Sequence, residues 1–269
     1  INTAALVMRL VEQGSLNLAD AASDFIPRLP EEITIGQLLS HTAGLRDVDV
    51  AAGIFEAIEA GGLPEQSRDA IDDALERGLV FEPGTTQSYS SVGYLALERV
   101  IEGVTGTAWD EALRQLVLPA EVSTHLEEDG TALPTPYERL GPASPAISLA
   151  SLPTSGFARG AGAAGGLVSN ATDIAEFVRA LFAGEVVSAE SLELMMDLAE
   201  PRDSYGFGLA FYDIGDTAIF GHNGRTVGFA SSVRHDPVNG VTVVVLSNDG
   251  SAPTDELSNE LILAAVSDR

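Results

Sequence analysis

The chain of 269 residues sets 40 acidic side chains against 14 basic ones, a formal charge of −26, and so acidic a surface repels nucleic-acid phosphates and anionic membranes, which need clustered Lys and Arg. Apolar residues make up 45% of the chain, so it is neither disordered nor fibrous, and no uninterrupted apolar run is long enough to span a membrane. It contains no cysteine and no lysine, which excludes thiolate catalysis, thiolate metal sites and any lysine base drawn from within these residues. Absence of cysteine is compatible with export, and the expected location is the periplasm, the cell envelope or the medium.

In chain order, Asn2 to Glu12 is apolar at most positions, which predicts a helix buried nearly all round. Gly14 stands where a C-terminal cap is preferred. Leu16, Leu18 and Phe25 lead through Pro27 and Pro30, an extended connection. Thr34 can cap a short helix through Leu39, followed by His41-Thr42-Ala43-Gly44-Leu45. Residues 46–84 are acidic and weakly patterned; a helix from Ser67 to Arg77, capped by Ser67, is the clearest element there. Pro83-Gly84 signals a turn before Tyr89-Ser90-Ser91. Apolar spacing from Tyr94 to Val104 predicts a helix ending at Gly106, and a second covers Trp109 to Leu116.

From Pro119 to Gly160 no period is evident, and an irregular excursion is expected. The glycine run Gly160 to Gly166 brings backbone close to some other group. A helix capped by Asn170 or Thr172 runs from Asp173 to Phe182 and closes at Gly184; Ser188 caps another that reaches Met196. From Tyr205 the period becomes two. Gly206 to Tyr212, Ala218 to Gly221, Phe229 to His235 and Val241 to Leu246 read as strands, with the polar triad His222-Asn223-Gly224 interrupting the second. Asp236 to Gly240 supplies a hairpin turn. Thr254 caps a last helix with Leu257, Leu261 and Ala265 on one face. The fold class is therefore α+β: one domain, with a mostly helical lobe at about 46–165 and, at 205–269, an antiparallel sheet flanked by the first and last helices.

Several residues could carry chemistry. His222, flanked by glycine and asparagine in a strand context, can line a cleft or merely sit at a turn, since glycine in a strand lets a ligand or another backbone approach. Tyr89, between a turn and a helix start, can point into a cleft or be structural. His41 reads best as a buried, satisfied histidine. His125 and His235 lack ligand spacing, and no HExxH, paired CxxC or EF-hand pattern occurs, so neither metal nor cofactor is implied. The glycine run lacks the Lys-Ser/Thr ending of a phosphate loop.

Together these pieces resemble the penicillin-recognising serine hydrolases, the branch that includes class C β-lactamases, serine DD-carboxypeptidases, related esterases and D-aminopeptidases. The matching stretches are LLSHTAGL (Leu38 to Leu45), FEPGTTQSYSSVGYLALERVIEGVTG (Phe81 to Gly106), GGLVSNATDIAEFVRALFAG (Gly165 to Gly184), YGFGL (Tyr205 to Leu209) and GHNGRTVGF (Gly221 to Phe229), in the family's order across nearly the whole chain. The resemblance implies a β-lactamase/transpeptidase-like fold and a three-motif site: Ser-x-x-Lys, Tyr-x-Asn and Lys/His-x-Gly. Tyr89 matches the second motif, and His222-Asn223-Gly224 the third. The backbone N–H of Arg225 would then be one of two oxyanion donors. Ser91 stands where the family usually has asparagine; a hydroxyl is shorter and donates one hydrogen bond rather than two, which moves the expectation from β-lactamase or peptidase towards esterase.

Ile1 to Asp20 resembles the family's helix just after Ser-x-x-Lys. Because the chain has no lysine, the resemblance implies that the nucleophilic serine and its lysine lie outside this sequence, which is then expected to be a fragment of a longer product and inactive alone. The implied activity is acyl-enzyme hydrolysis of an amide, β-lactam or ester, on a small molecule or a peptidoglycan peptide. The alternative is a non-catalytic penicillin-binding or sensor domain.

Overall fold

The computed structural model describes residues 1–47, 66–126, 133–139, 141, 144–152, 154–198, 200–215, 217–226 and 228–267. Helix α1 (Asn2–Glu12) is buried at Thr3 through Met8 and at Leu10, as its all-round apolar sequence requires. Gly14, at φ 71°, reverses the chain while its N–H donates to the Val11 carbonyl at 2.9 Å. The connection that follows includes a 3-10 turn at Ala22–Asp24 rather than running extended throughout. A reciprocal capping box starts α2 (Ile35–Leu39): Thr34 N–H donates to Gln37 Oε1 at 2.9 Å, and Gln37 N–H to Thr34 Oγ1 at 3.3 Å.

Helix α3 (Gln66–Glu76) falls within a residue of its expected bounds. Most of the lobe expected before it lies outside the described residues, and Ser67, expected as its cap, is instead the second residue of the helix. Helix α4 (Ser91–Thr105) ends at Gly106 with φ 70°, and α5 (Trp109–Leu116) follows. Leu6, Leu38, Leu97, Ile101 and Leu113 are fully buried in one core with α1, each stabilising the fold by about 1.5–3 kcal/mol.

The stretch expected to be irregular contains β1 (His125–Leu126), β2 (Tyr137–Glu138), β3 (Ile147–Ser148) and α6 (Thr154–Gly165), followed by β4 (Leu167–Val168). Strand β1 pairs with β4 and β2 with β3, both antiparallel. Two-residue strands carry no period, which is why they leave no trace in the sequence. The glycine run belongs to α6, which is broken at Gly162. Asn170 caps α7 (Ala171–Phe182) by accepting the Asp173 N–H at 3.0 Å, and Ser188 caps α8 (Ala189–Met196) by accepting that of Ser191 at 3.2 Å.

The principal sheet is an antiparallel meander of β5 (Ala210–Ile214), β6 (Thr217–Thr226), β7 (Phe229–Asp236) and β8 (Val241–Ser247), in that spatial order, and α9 (Thr254–Ser267) follows it. Two strand bounds differ from expectation by more than two residues. Strand β5 starts at Ala210 rather than Gly206, because Gly208 (φ 71°) turns the chain and Tyr205 bridges back to Ala210. Strand β6 is not interrupted by the triad. It continues through it, since β7 pairs with it residue for residue: His222 with Val233, Asn223 with Ser232, Gly224 with Ser231.

The expected α+β architecture holds, with α9 on the rear of the sheet and α7 on the front, where the Phe182 ring lies 4.1 Å from that of His235. Helix α1 packs among α4, α5 and α8. Leu257 and Leu261 face outward, 45% and 44% exposed, whereas Ser258 and Ile262 face the sheet at 0% and 1%. The rear face presents Ser232 and Arg234, so α9 turns serine, not leucine, onto it. No helix among the described residues is long and apolar enough to cross a membrane.

Candidate active site

Strand β5 pairs with β6 only over Thr217 to Gly221, so from His222 to Thr226 one edge of β6 is open. Side chains alternate along a strand: His222 and Gly224 face the front, Asn223 and Arg225 the rear. At Gly221 an added Cβ would lie 2.0 Å from the Val233 carbonyl oxygen, so that glycine admits the backbone of β7 rather than a ligand. The open edge borders a cleft of roughly 1660 Å³ whose walls include Tyr89, Ser91, His222 and the α6 glycine run. The group that the glycine run approaches is Glu98. Gly162 has φ 42°, a Cβ there would sit 2.0 Å from Glu98 Oε2, and the same carboxylate oxygen accepts the Ala163 N–H at 2.8 Å.

Across the cleft, the start of α4 is held by the loop after α2. Ser90 N–H donates to His41 Nδ1 at 3.2 Å, and Ser91 N–H to Asp47 Oδ1 at 2.7 Å, which places a carboxylate where the helix dipole favours one. His41 itself has φ 58°, uncommon for a residue with a Cβ. Its ring lies 4.2 Å from Tyr89, 4.5 Å from Tyr205 and 5.1 Å from Tyr94. Gln87 Nε2 donates to the carbonyls of Ser40 and Tyr205, both at 2.7 Å, tying this loop to the segment before β5. Tyr89 and His222, singled out separately in the sequence, thus come together with ring centroids 6.2 Å apart.

Hydrogen bonding fixes the tautomer of His222. Its Nδ1 lies on the Asn223 carbonyl, an obligate acceptor, so Nδ1 carries the proton, and Nε2 accepts the Tyr205 hydroxyl at 2.7 Å. Burial lowers the His222 pKa to about 4 and that of His41 to about 3. His41 is buried as expected but satisfied on one side only, since Nε2 has no hydrogen-bond partner among the described residues. Burial, then the Asp47 carboxylate, push the Tyr89 phenol up, while a hydrogen bond from the Ser91 hydroxyl works the other way. Burial raises Tyr205 well above its usual value, and Tyr94 upward as well. At neutral pH the cluster is two neutral imidazoles and three neutral phenols. None of the phenols acts as a base without an added cation to stabilise its phenolate.

Asn223 faces away from this cluster: its amide donates to Asp255 Oδ2 at 2.8 Å. Asp255 is one end of a rear network that no sequence pattern announced. Arg234, 1% exposed, donates to Asp255 Oδ1 at 2.9 Å, Asn259 Oδ1 at 2.8 Å and Ser232 Oγ at 2.8 Å, and its guanidinium lies 3.6 Å from the Tyr212 ring centroid. Burial works against the Asp255 carboxylate, but hydrogen bonds from Asn223, Arg234 and Ser232 hold its pKa below the usual value. Tyr205 is the other residue that sequence reasoning left without a role. The available signal was its place just before Gly-Phe-Gly, where the period changes.

Known proteins resemble this chain in sequence and in fold. The family model described as Beta-lactamase matches residues 2–267. Penicillin-binding protein 4 of Amycolatopsis lactamdurans is 31% identical over 97% of this chain and 74% of its own length. The octameric penicillin-binding protein homologue from Pyrococcus abyssi superposes with a TM-score of 0.84 at 23% identity, covering 99% of this chain and 64% of that one. A D-stereospecific amidohydrolase from Streptomyces sp. does so with a TM-score of 0.81 at 23% identity, over 96% and 82%. At those identities the structural matches establish the fold, and the sequence matches establish the family. From Asn2 to Ser267, the chain belongs to the beta-lactamase family, whose members include penicillin-binding proteins.

Proposed function

We propose that this chain forms two walls of a serine hydrolase site that works through an acyl-enzyme, with Tyr89 and His222 facing each other across the cleft and the attacking serine entering between them. The observation that carries this reading is the convergence of Tyr89, from the start of α4, with His222 on the unpaired edge of β6. Because the sequence contains no lysine, the Ser-x-x-Lys pair is supplied by residues outside 1–269. The serine oxygen attacks the substrate carbonyl and the serine proton passes to the phenolate of Tyr89. That phenolate must be stabilised by the lysine cation, because burial and Asp47 push the phenol up. The phenol then protonates the departing alcohol or amine, and water releases the acyl group by the same route in reverse. The backbone N–H of Arg225 faces the open edge, whereas that of Gly224 points to β7, so Arg225 would be one of the two donors that hold the oxyanion. A preorganised donor of this kind is worth about 3 kcal/mol in the transition state.

An exported enzyme acting on a peptidoglycan peptide or a small-molecule ester or amide fits these features. Incubation of the full-length gene product with a fluorophosphonate and with fluorescent penicillin tests the reading. A covalent adduct on a serine is expected, and absence of any adduct with either reagent would overturn it. The raised Tyr89 phenol gives some support to a non-catalytic penicillin-binding role; that role predicts a stable penicillin adduct and no product.

A further inference from the structure

Both ring nitrogens of His222 are consumed inside the protein, Nδ1 on the Asn223 carbonyl and Nε2 on the Tyr205 hydroxyl. Neither is left to donate to a substrate. Other groups near His222 that could receive a carboxylate are committed elsewhere. The Asn223 amide is bonded to Asp255 on the rear face, and the Ser91 hydroxyl is turned to Tyr89. Among the described residues, the cationic side chains that line the cleft are Arg77 and Arg225. Arg77 is paired with Asp73 at 3.0 Å, and alternation directs Arg225 to the rear with Asn223. On the front, Asp47 also lines the cleft, so a substrate carboxylate there would meet negative rather than positive charge.

We propose that Tyr205 is a positioning residue that holds His222 as a fully engaged imidazole and thereby sets the substrate class: an ester or amide without a free carboxylate next to the scissile bond. This rests on the acyl-transfer reading above. Tyr205 suits the role because it is itself fixed: 9% exposed, its carbonyl gripped by Gln87, its ring edge-on to those of His222 and His41. Burial also keeps the His222 ring neutral at physiological pH, consistent with the hydrogen-bond assignment.

The test pairs substrates that differ only in the carboxylate, N-acetyl-D-alanyl-D-alanine and its C-terminal amide, assayed with the full-length protein and its Tyr205→Phe variant. The wild type is expected to prefer the uncharged substrate by about tenfold or more in kcat/KM, and Tyr205→Phe, which removes the hydroxyl that Nε2 accepts and lets that nitrogen take up a proton and donate it, to shrink that preference mainly by lowering KM for the carboxylate substrate. Equal use or a preference for the carboxylate substrate would overturn the proposal, as would a ratio unmoved by Tyr205→Phe. A second readout needs no turnover: ¹⁵N NMR of the histidine rings at pH 7 should show His222 as the Nδ1–H tautomer in the wild type and a changed tautomer or pKa in Tyr205→Phe. A cationic His222 at pH 7 would overturn it. Fluorophosphonate labelling separates the two failures. If the serine labels but the carboxylate substrate is preferred, only this inference falls; if nothing labels, the acyl-transfer reading falls and takes it along.

Discussion

The two faces of β6 differ in kind. The front is an assembly of neutral rings, with His222 bonded to Tyr205 and beside Tyr89, and His41 stacked on Tyr94. The rear is ionic, with Arg234 buried against Asp255 and bound to Ser232 and Asn259. One-residue alternation separates them: His222 belongs to the first and Asn223 to the second. The lesson is a division of labour. The rear fixes where the strand lies, and the front borders the cleft into which Tyr89 is set. Changes to the rear should therefore appear in stability, and changes to the front in reactivity.

The largest expected effect is on the rear. Asp255→Ala leaves a buried guanidinium without its counter-ion, and partly exposed though Asp255 is, it should lower unfolding stability by about 3 kcal/mol. Urea denaturation measures this, and a loss below about 1 kcal/mol would mean that the network is no more than a surface pair.

Acidification comes next and acts from the front and beneath α7. Burial lowers His41 to about 3, His222 to about 4 and His235 to about 4, from an ordinary value of 6.5. Depressed folded values mean that the unfolded chain takes up protons first as pH falls. Their contribution is then complete above about pH 6.5 and drains away towards pH 4, by on the order of 2 kcal/mol or more. Denaturation midpoints at pH 7.5, 6 and 4.5 should fall in that order; a flat profile would contradict the burial of these rings.

The smallest effect is expected on the outer face of α9. Leu257→Ser, at a site 45% exposed, should change stability by less than about 0.5 kcal/mol. A much larger loss would show that this face is covered in the assembled protein.

Much of this was legible in the sequence because local chemistry and global fold agree there. Thr34 with Gln37, Asn170, Ser188 and the glycines at 14, 106 and 184 mark helix ends by hydrogen-bonding and φ requirements that need no tertiary context. Tyr89 and His222 stand out through resemblance to the family's second and third motifs. What escaped depends on contacts distant in the chain. Gly162 faces Glu98, 64 positions away in sequence by subtraction, and the two-residue strands exist only as pairs. Leu257 and Leu261 form an apolar stripe that would ordinarily mark the buried face. The rear of the sheet inverts that rule, because Arg234 and Ser232 require a polar partner in Ser258 and Asp255.

The central claim is that Tyr89 moves the proton in the front cleft without supporting the fold. The rate of fluorophosphonate labelling in the full-length protein and its Tyr89→Phe variant, measured beside a denaturation curve, tests it most directly. The account predicts labelling slower by about 10²–10⁴-fold, with stability unchanged within about 0.5 kcal/mol. Labelling at the wild-type rate in Tyr89→Phe would contradict it.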